Sequence, residues 1–133
     1  MNTVFADTAY FLALLNPADQ WHTSARDLSR SVPGPLLTTE FVLMEAGDGM
    51  SQPENRGRFA RLLELLRSQS DVEITPADSG LFRQGCNLHA RRPDKEWSLT
   101  DCTSFVVMKE RAIERALTSD QHFAQAGFQV LMK

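Results

Sequence analysis

Short β-prone runs alternate with segments of helical periodicity along the whole 133-residue chain. The first run, Thr3–Ala6, stops at Asp7, and a helical pattern follows from Thr8 to Leu15. Parallel strands need long crossover connections, which helices commonly supply. The alternation therefore predicts an α/β fold with a parallel sheet covered by helices on both faces.

The other predicted elements continue this alternation to the C-terminus. Further strands are predicted at Leu36–Thr39, Val72–Thr75, Ala116–Thr118 and Gln129–Leu131. Helices are predicted from the Asn16-Pro17 cap to about Leu28 with a stop at Pro33 to Pro35, from Glu40 to about Met50, beyond Pro53, around Leu81 to Leu88, from Ser98 through Ile113, and from Asp120 to about Ala126. No repeat or linker divides the chain, so we expect one domain, residues 1–133.

Composition narrows the classes of function. The densest apolar run, Ala9–Leu15, is much shorter than the roughly 20 residues of a membrane span, and the N-terminus lacks the basic flank of a secretory signal. We therefore expect a cytoplasmic protein with no membrane partner. Cys86 and Cys102 are too few for a disulfide framework or zinc site and are expected to be reduced core thiols. A net charge of −3 argues against binding nucleic acid by bulk positive charge, so RNA contacts would need a local basic rim.

Four acidic residues lie where the predicted elements would bring side chains to one edge of the sheet. Asp7 and Asp120 directly follow predicted strands, and open parallel sheets bind ligands at the carboxyl ends of their strands. Asp101, one turn into the helix that starts at Ser98, can point to the same edge. Glu45 has apolar neighbours almost all round its helix, which predicts a buried carboxylate that needs a partner or a metal.

Convergent carboxylates without a matching lysine or arginine repel one another, and a divalent cation is the simplest way to hold them together. Ligands that are all oxygen favour Mg²⁺, or Mn²⁺, over zinc. The sequence therefore predicts a magnesium site built from Asp7, Glu45, Asp101 and Asp120.

Each acid also has a purely structural interpretation. Asp7 and Asp120 could be helix N-caps, because Asp is a preferred capping residue. Ser98-Leu99-Thr100-Asp101 has the form of a capping box before an apolar run. Glu45 could be a surface position of an amphipathic helix, although its neighbours leave little polar face. Capping and metal binding can coexist, so both interpretations stay open until the acids are located in space.

A basic loop with an aromatic residue precedes the Asp101 segment. Arg91, Arg92 and Lys95 could guide a phosphate backbone, while Trp97 could stack on a base. The alternative is a solvated loop with Trp97 in the core.

The three histidines, His22, His89 and His122, share no spacing or partner pattern. We therefore expect no histidine general base. His122 is expected to pack near the Asp120 turn.

The segments around the four acids resemble the PIN domain, particularly the VapC-like toxin ribonucleases of bacterial toxin–antitoxin systems. The resemblance covers nearly the whole chain and depends on the order and spacing of the segments. They read VFADT and LALL at 4–8 and 12–15, LLTT and VLME at 36–39 and 42–45, SLTDC and SF at 98–102 and 104–105, and ALTSD, HF and GF at 116–120, 122–123 and 127–128.

The resemblance implies a three-layer α/β/α sandwich around a parallel sheet of about four to five strands. It implies a catalytic quartet that holds one or two Mg²⁺ ions beside a scissile RNA phosphodiester bond. Asp7 and Asp101 would be direct ligands, and Glu45 and Asp120 would orient metal or water.

The resemblance also makes Thr8 and Ser104 hydroxyl residues that support the quartet. It implies an RNA substrate, a cognate antitoxin and a homodimer. The competing interpretation is a catalytically silent PIN-type module that binds RNA or protein. One departure from a regular helix is the pair Gly47 and Gly49, each about 1 kcal/mol less favourable than Ala, which predicts an early end to the helix after Glu45.

Overall fold

The computed structural model describes residues 2–32 and 34–133. Within them, one five-stranded parallel sheet has the order β3-β2-β1-β4-β5. Its strands are β1 Val4–Ala6, β2 Leu36–Thr39, β3 Val72–Thr75, β4 Arg115–Leu117 and β5 Gln129–Val130. These bounds agree with the predicted strands to within one residue at either end.

Seven helices, counted over the same residues, connect and cover the strands. They are α1 Thr8–Leu15, α2 His22–Ser31, α3 Glu40–Gly49, α4 Pro53–Ser68, α5 Ser79–Arg91, α6 Leu99–Glu110 and α7 Gln121–Gln125. The predicted α/β fold with a central parallel sheet is confirmed. None of the described helices is long and apolar enough to cross a membrane.

The central strand fixes the edge at which the acidic residues lie. All three residues of β1 are buried, as expected for a strand covered on both faces. Beyond its end, the Asp7 amide donates to the Leu117 carbonyl at 3.1 Å and so extends the pairing with β4. On the other side, the Thr38 hydroxyl donates to the Ala6 carbonyl at 2.8 Å. The residues that follow these strands are therefore held at one carboxyl edge.

Aromatic rings hold α6 and α7 against the sheet. Phe105 of α6 meets Phe123 of α7 edge-on, with ring centroids 4.9 Å apart. Phe123 in turn lies 6.3 Å from Phe5 of β1. The edge-to-face pair of Phe105 and Phe123 contributes about 0.5–1.5 kcal/mol beyond the area it buries. These contacts fix α6, which carries Asp101, and α7, which follows Asp120, over the centre of the sheet.

The predicted helix start at Asn16-Pro17 is wrong, because polar side chains close turns there instead. The Asn16 side chain accepts a hydrogen bond from the Ala18 amide at 3.0 Å, and Asp19 accepts from the Trp21 amide at 2.8 Å. Such local bonds compete with helix formation. The helix begins only at His22 and ends at Ser31, and the predicted stop at Pro33 lies outside the described residues.

Two other helix predictions are corrected by packing and backbone geometry. Helix α3, which contains Glu45, does not end early but continues to Gly49. A Cβ atom at Gly47 would lie 3.1 Å from the Phe59 ring of α4. The glycine therefore allows two helices to approach closely.

The cysteines are free as expected, although Cys86 is half-buried and only Cys102 lies in the core.

The helix predicted through Ile113 ends three residues earlier, at Glu110. Ala112 has a left-handed backbone with φ of 53°. Its amide donates to the Lys109 carbonyl, and the Ile113 amide donates to the Met108 carbonyl at 2.8 Å. These bonds form a Schellman C-cap with alanine at the position that usually carries glycine.

Replacing Ala112 with Gly is expected to stabilise the protein by about 1 kcal/mol, because glycine adopts the left-handed conformation without the Cβ clash. The side chain is exposed, so no packing is lost. Urea unfolding measures the difference. The matched control is Ala60→Gly, at an exposed position inside α4, which is expected to destabilise by about the same amount. A loss of stability in Ala112→Gly would contradict the assignment.

Candidate active site

A cavity of about 330 Å³ opens at the carboxyl edge of the sheet, and all four predicted acids line it. Asp7 follows β1, Asp101 lies in the first turn of α6, Asp120 precedes α7 and Glu45 projects from α3. The other lining residues are Thr8, Ala9, Leu12, Glu96, Ser98 and His122. The acids therefore share one site, and the possibility that they are scattered helix caps is excluded.

Asp7 is the most buried acid of the cavity, with 4% of its surface exposed. Its Oδ2 accepts a hydrogen bond from the Thr118 hydroxyl at 2.8 Å, and its side chain does not cap α1. Burial raises the pKa of Asp7 to about 7, the Thr118 bond opposes this rise, and the negative charges of Asp101 and Asp120 add to it. The N-cap alternative for the Asp7 side chain is wrong.

Asp101 combines the capping role with a place in the cavity. Its amide donates to the Ser98 hydroxyl at 2.9 Å, and its Oδ2 accepts from the Ser98 amide at 3.2 Å, which completes the predicted capping box. Burial and the nearby charge of Asp120 raise the pKa of Asp101, while the hydrogen bond to His122 lowers it. Capping fixes this carboxylate at the cavity wall.

Asp120 is also a true helix cap. Its Oδ1 accepts from the His122 amide at 2.9 Å, at the start of α7. The Asp120 amide donates to the Thr118 hydroxyl oxygen at 3.0 Å. Thr118 therefore donates to Asp7 and accepts from Asp120, and this single hydroxyl links two acids that are 113 positions apart in the chain.

Glu45 lines the cavity, but the prediction that its carboxylate is buried among apolar neighbours is wrong. The side chain is exposed, because α3 buries only Val42, Leu43 and Ala46 and leaves the neighbouring Met44 63% exposed. An apolar residue such as Met44 at the surface made the helix look buried. The surface alternative describes the exposure of Glu45 correctly, while its position in the site agrees with the predicted quartet.

Three cavity or linking residues were missed from the sequence. His122 does lie near the Asp120 turn, as expected, but its Nδ1 also lies 3.1 Å from Asp101 Oδ2 and 3.4 Å from Asp120 Oδ1. Glu96 lines the cavity from a loop that looked basic. Thr118 was not singled out, although its place at the end of a predicted strand and two residues before Asp120 was a usable signal.

The two predicted supporting hydroxyls differ in position. Thr8 is buried at the cavity wall, and its hydroxyl donates to the Val42 carbonyl at 3.5 Å, the limit of a hydrogen bond. Ser104 is fully buried but does not line the cavity, and its Oγ has no hydrogen-bond partner among the described residues.

The basic loop beside the cavity is partly neutralised. Trp97 is 6% exposed, its Nε1 donates to Gln125 at 3.1 Å, and the core alternative is correct rather than base stacking. Arg92 makes two hydrogen bonds of 3.0 Å to Asp94 and lies over the Trp97 ring at 5.1 Å. Arg91 is exposed and Lys95 is half-buried. Arg91 and Lys95 are therefore the more available cations of the loop.

The side chains of the cavity fit a divalent cation. One potential ligand atom from each of Asp101, Asp120 and His122 lies within 4.8 Å of the other two. Over residues 2–32 and 34–133, no lysine or arginine forms an ion pair with any of the four predicted acids. Mg²⁺ and Mn²⁺ are commonly bound by carboxylate oxygens, and the carboxylates of this cavity have no lysine or arginine partner among the described residues.

Fold and site together define a parallel α/β protein with an acidic cavity at the carboxyl edge of its sheet, lined by residues that could hold a metal ion. The chain belongs to the PIN domain family, whose model matches residues 4–129. The 23S rRNA-specific endonuclease VapC20 of Mycobacterium tuberculosis is 30% identical over 125 residues, which cover 94% of this chain and 95% of the relative. The resemblance drawn from the sequence is confirmed.

Solved structures give the same result. The crystal structure of Mycobacterium tuberculosis VapC20, described as a sarcin-ricin loop cleaving toxin, matches with a TM-score of 0.84 at 30% identity and covers 94% of this chain and 95% of that one. FitAcB from Neisseria gonorrhoeae matches with a TM-score of 0.65 at 18% identity and covers 96% of both chains. The second likeness establishes the fold alone.

Proposed function

We propose that this chain is a divalent-metal-dependent endoribonuclease, folded as one domain over residues 1–133, and the toxin of a type II toxin–antitoxin pair. The observation that carries the proposal is the single cavity lined by Asp7, Glu45, Asp101 and Asp120, with no lysine or arginine paired to them in the described part of the chain. The endonuclease activity of a relative that matches 94% of the chain supports it.

The substrate is RNA, and we extend the class of the relative's substrate, ribosomal RNA, to this chain. Arg91 and Lys95 are the candidates for contacts with the phosphate backbone, and Arg92 contributes only if it leaves Asp94. An antitoxin and a second copy of the chain are the protein partners in this proposal. The VapC20 structure is described as that of a toxin. Because a cell that makes a toxin needs an inhibitor of it, this description supports an antitoxin partner.

Asp7, Asp101 and Asp120 would hold the cation, with Mg²⁺ as the expected ion and Mn²⁺ as the alternative. When bound, such an ion stabilises negative charge on the phosphate and makes a water molecule more acidic. Asp101 and Asp120 are held in place by the helix caps, and Asp7 by the Thr118 hydroxyl. Glu45 is the exposed carboxylate, so it can accept a hydrogen bond from the attacking water without further desolvation.

The metal requirement tests the proposal. Purified protein is expected to cut ribosomal RNA into defined fragments with Mg²⁺ or Mn²⁺ and to stop when EDTA is added. Gel analysis of RNA ends measures cleavage. Calcium, which binds carboxylates but prefers larger and more flexible coordination, is the matched control. Metal binding without cleavage of any RNA offered would instead favour the catalytically silent module.

Thr118 is expected to be a positioning residue in this enzyme. Thr118→Val removes the bonds to Asp7 and to the Asp120 amide, and a decrease in cleavage of about 10- to 100-fold is expected, as for other residues that orient metal ligands. Thr118→Ser keeps the hydroxyl and should retain most activity. Equal activity of the Val and Ser variants, measured as initial rates at saturating Mg²⁺, would contradict this role.

A further inference from the structure

His122 offers the one nitrogen ligand among the described residues that line the acidic cavity. Its Nδ1 lies 3.1 Å from Asp101 Oδ2 and 3.4 Å from Asp120 Oδ1. Two ligands that bind an octahedral cation at about 2.1–2.2 Å in adjacent positions lie about 3.0 Å apart. The two distances from the imidazole Nδ1 are therefore close to the spacing of adjacent ligands around one ion.

The position of the imidazole is fixed by its surroundings. The His122 amide donates to Asp120 Oδ1 at 2.9 Å, so the residue is tied to one of its two carboxylate neighbours through the backbone. The next residue, Phe123, is fully buried and packs between Phe5 and Phe105. About a third of the His122 side chain is exposed, at 32%, and this leaves the ring accessible to a cation from solvent.

We propose that His122 is a direct ligand of the cation and makes the site prefer Mn²⁺ over Mg²⁺ more strongly than carboxylates alone would. Imidazole nitrogen suits transition metals, whereas Mg²⁺ takes oxygen ligands. This inference rests on the proposed function, because it concerns the same metal. It adds a ligand outside the acidic quartet and a consequence for metal selectivity.

Competition between the two metals tests this selectivity. Mn²⁺ binding to the full chain is measured by its EPR signal and by calorimetry, and Mg²⁺ binding by displacement of Mn²⁺. In His122→Asn the ratio of Mn²⁺ to Mg²⁺ affinity is expected to fall about tenfold, since a nitrogen ligand is exchanged for an amide. His89→Asn, at an exposed position of α5 outside the cavity, is the matched control and should leave the ratio unchanged.

A second measurement needs no variant. Pulsed EPR of the Mn²⁺-loaded wild-type chain is expected to show coupling of the metal to a ¹⁴N nucleus, and its absence would overturn the proposal. Equal weakening of both metals in His122→Asn would also overturn it, because His122 would then act only by orienting Asp101 and Asp120. A wild-type chain that binds neither metal would refute the proposed function itself, so the two failures are distinguishable.

Discussion

Asp7→Asn is expected to abolish RNA cleavage, with a decrease in rate of about 10³-fold or more. The substitution keeps the shape of the side chain and an oxygen that can accept from Thr118, but removes the charge of the most buried acid in the cavity. Loss of about 4 kcal/mol of metal-based stabilisation of the transition state corresponds to that factor. Initial rates at saturating Mg²⁺ measure it.

The control for this experiment is Asp27→Asn, which makes the same chemical change at an exposed position of α2 outside the cavity. This variant should cleave RNA at the wild-type rate. Substantial cleavage by Asp7→Asn would show that the buried carboxylate is not part of the catalytic machinery. Equal losses in both variants would point to a general effect of charge on RNA binding rather than to the cavity.

The same substitution is expected to stabilise the metal-free protein at neutral and alkaline pH. Burial raises the pKa of Asp7 to about 7, from an ordinary value of 3.8, so the folded state holds a proton that the unfolded state loses. The contribution of Asp7 to the free energy of unfolding is therefore highest below about pH 4 and decreases as the pH rises to about 7. At about 1.4 kcal/mol for each pH unit, the loss reaches about 4 kcal/mol.

Asn does not ionise, so Asp7→Asn should lack this part of the pH dependence and be the more stable protein at pH 8. Urea unfolding between pH 4 and 8 in EDTA measures both proteins, and their difference isolates Asp7 from other titrating groups. Added Mg²⁺ or Mn²⁺ should recover stability in the wild type alone. A variant that is less stable than the wild type at pH 8 would contradict the burial of an uncompensated charge.

Much of the fold was readable because local signals and tertiary structure agree. The strands at Leu36–Thr39 and Val72–Thr75 were predicted at their observed bounds, since β-prone runs end at a cap or a proline. The start at Asn16-Pro17 failed because Asn16 and Asp19 close turns with their side chains. The left-handed Ala112 was not predictable, because alanine gives no sign of such a conformation.

The candidate site could likewise be predicted from the sequence only in part. Strand ends placed Asp7 and Asp120 correctly, and the capping box placed Asp101. Glu45 was predicted from its apolar neighbours to be buried, but its side chain is exposed. Periodicity does not predict which side of α3 faces away from the sheet. His122 depends on the packing of α7 against α6, a long-range contact that no local pattern records.

The location of the metal tests the central claim most directly. Crystals of the protein soaked in Mn²⁺ and measured near the manganese absorption edge would locate the ion by its anomalous scattering. We predict a peak inside the acidic cavity, about 2.2 Å from carboxylate oxygens of Asp101 and Asp120. An empty cavity in a protein that still cleaves RNA in Mn²⁺, or a peak at a different site, would contradict it.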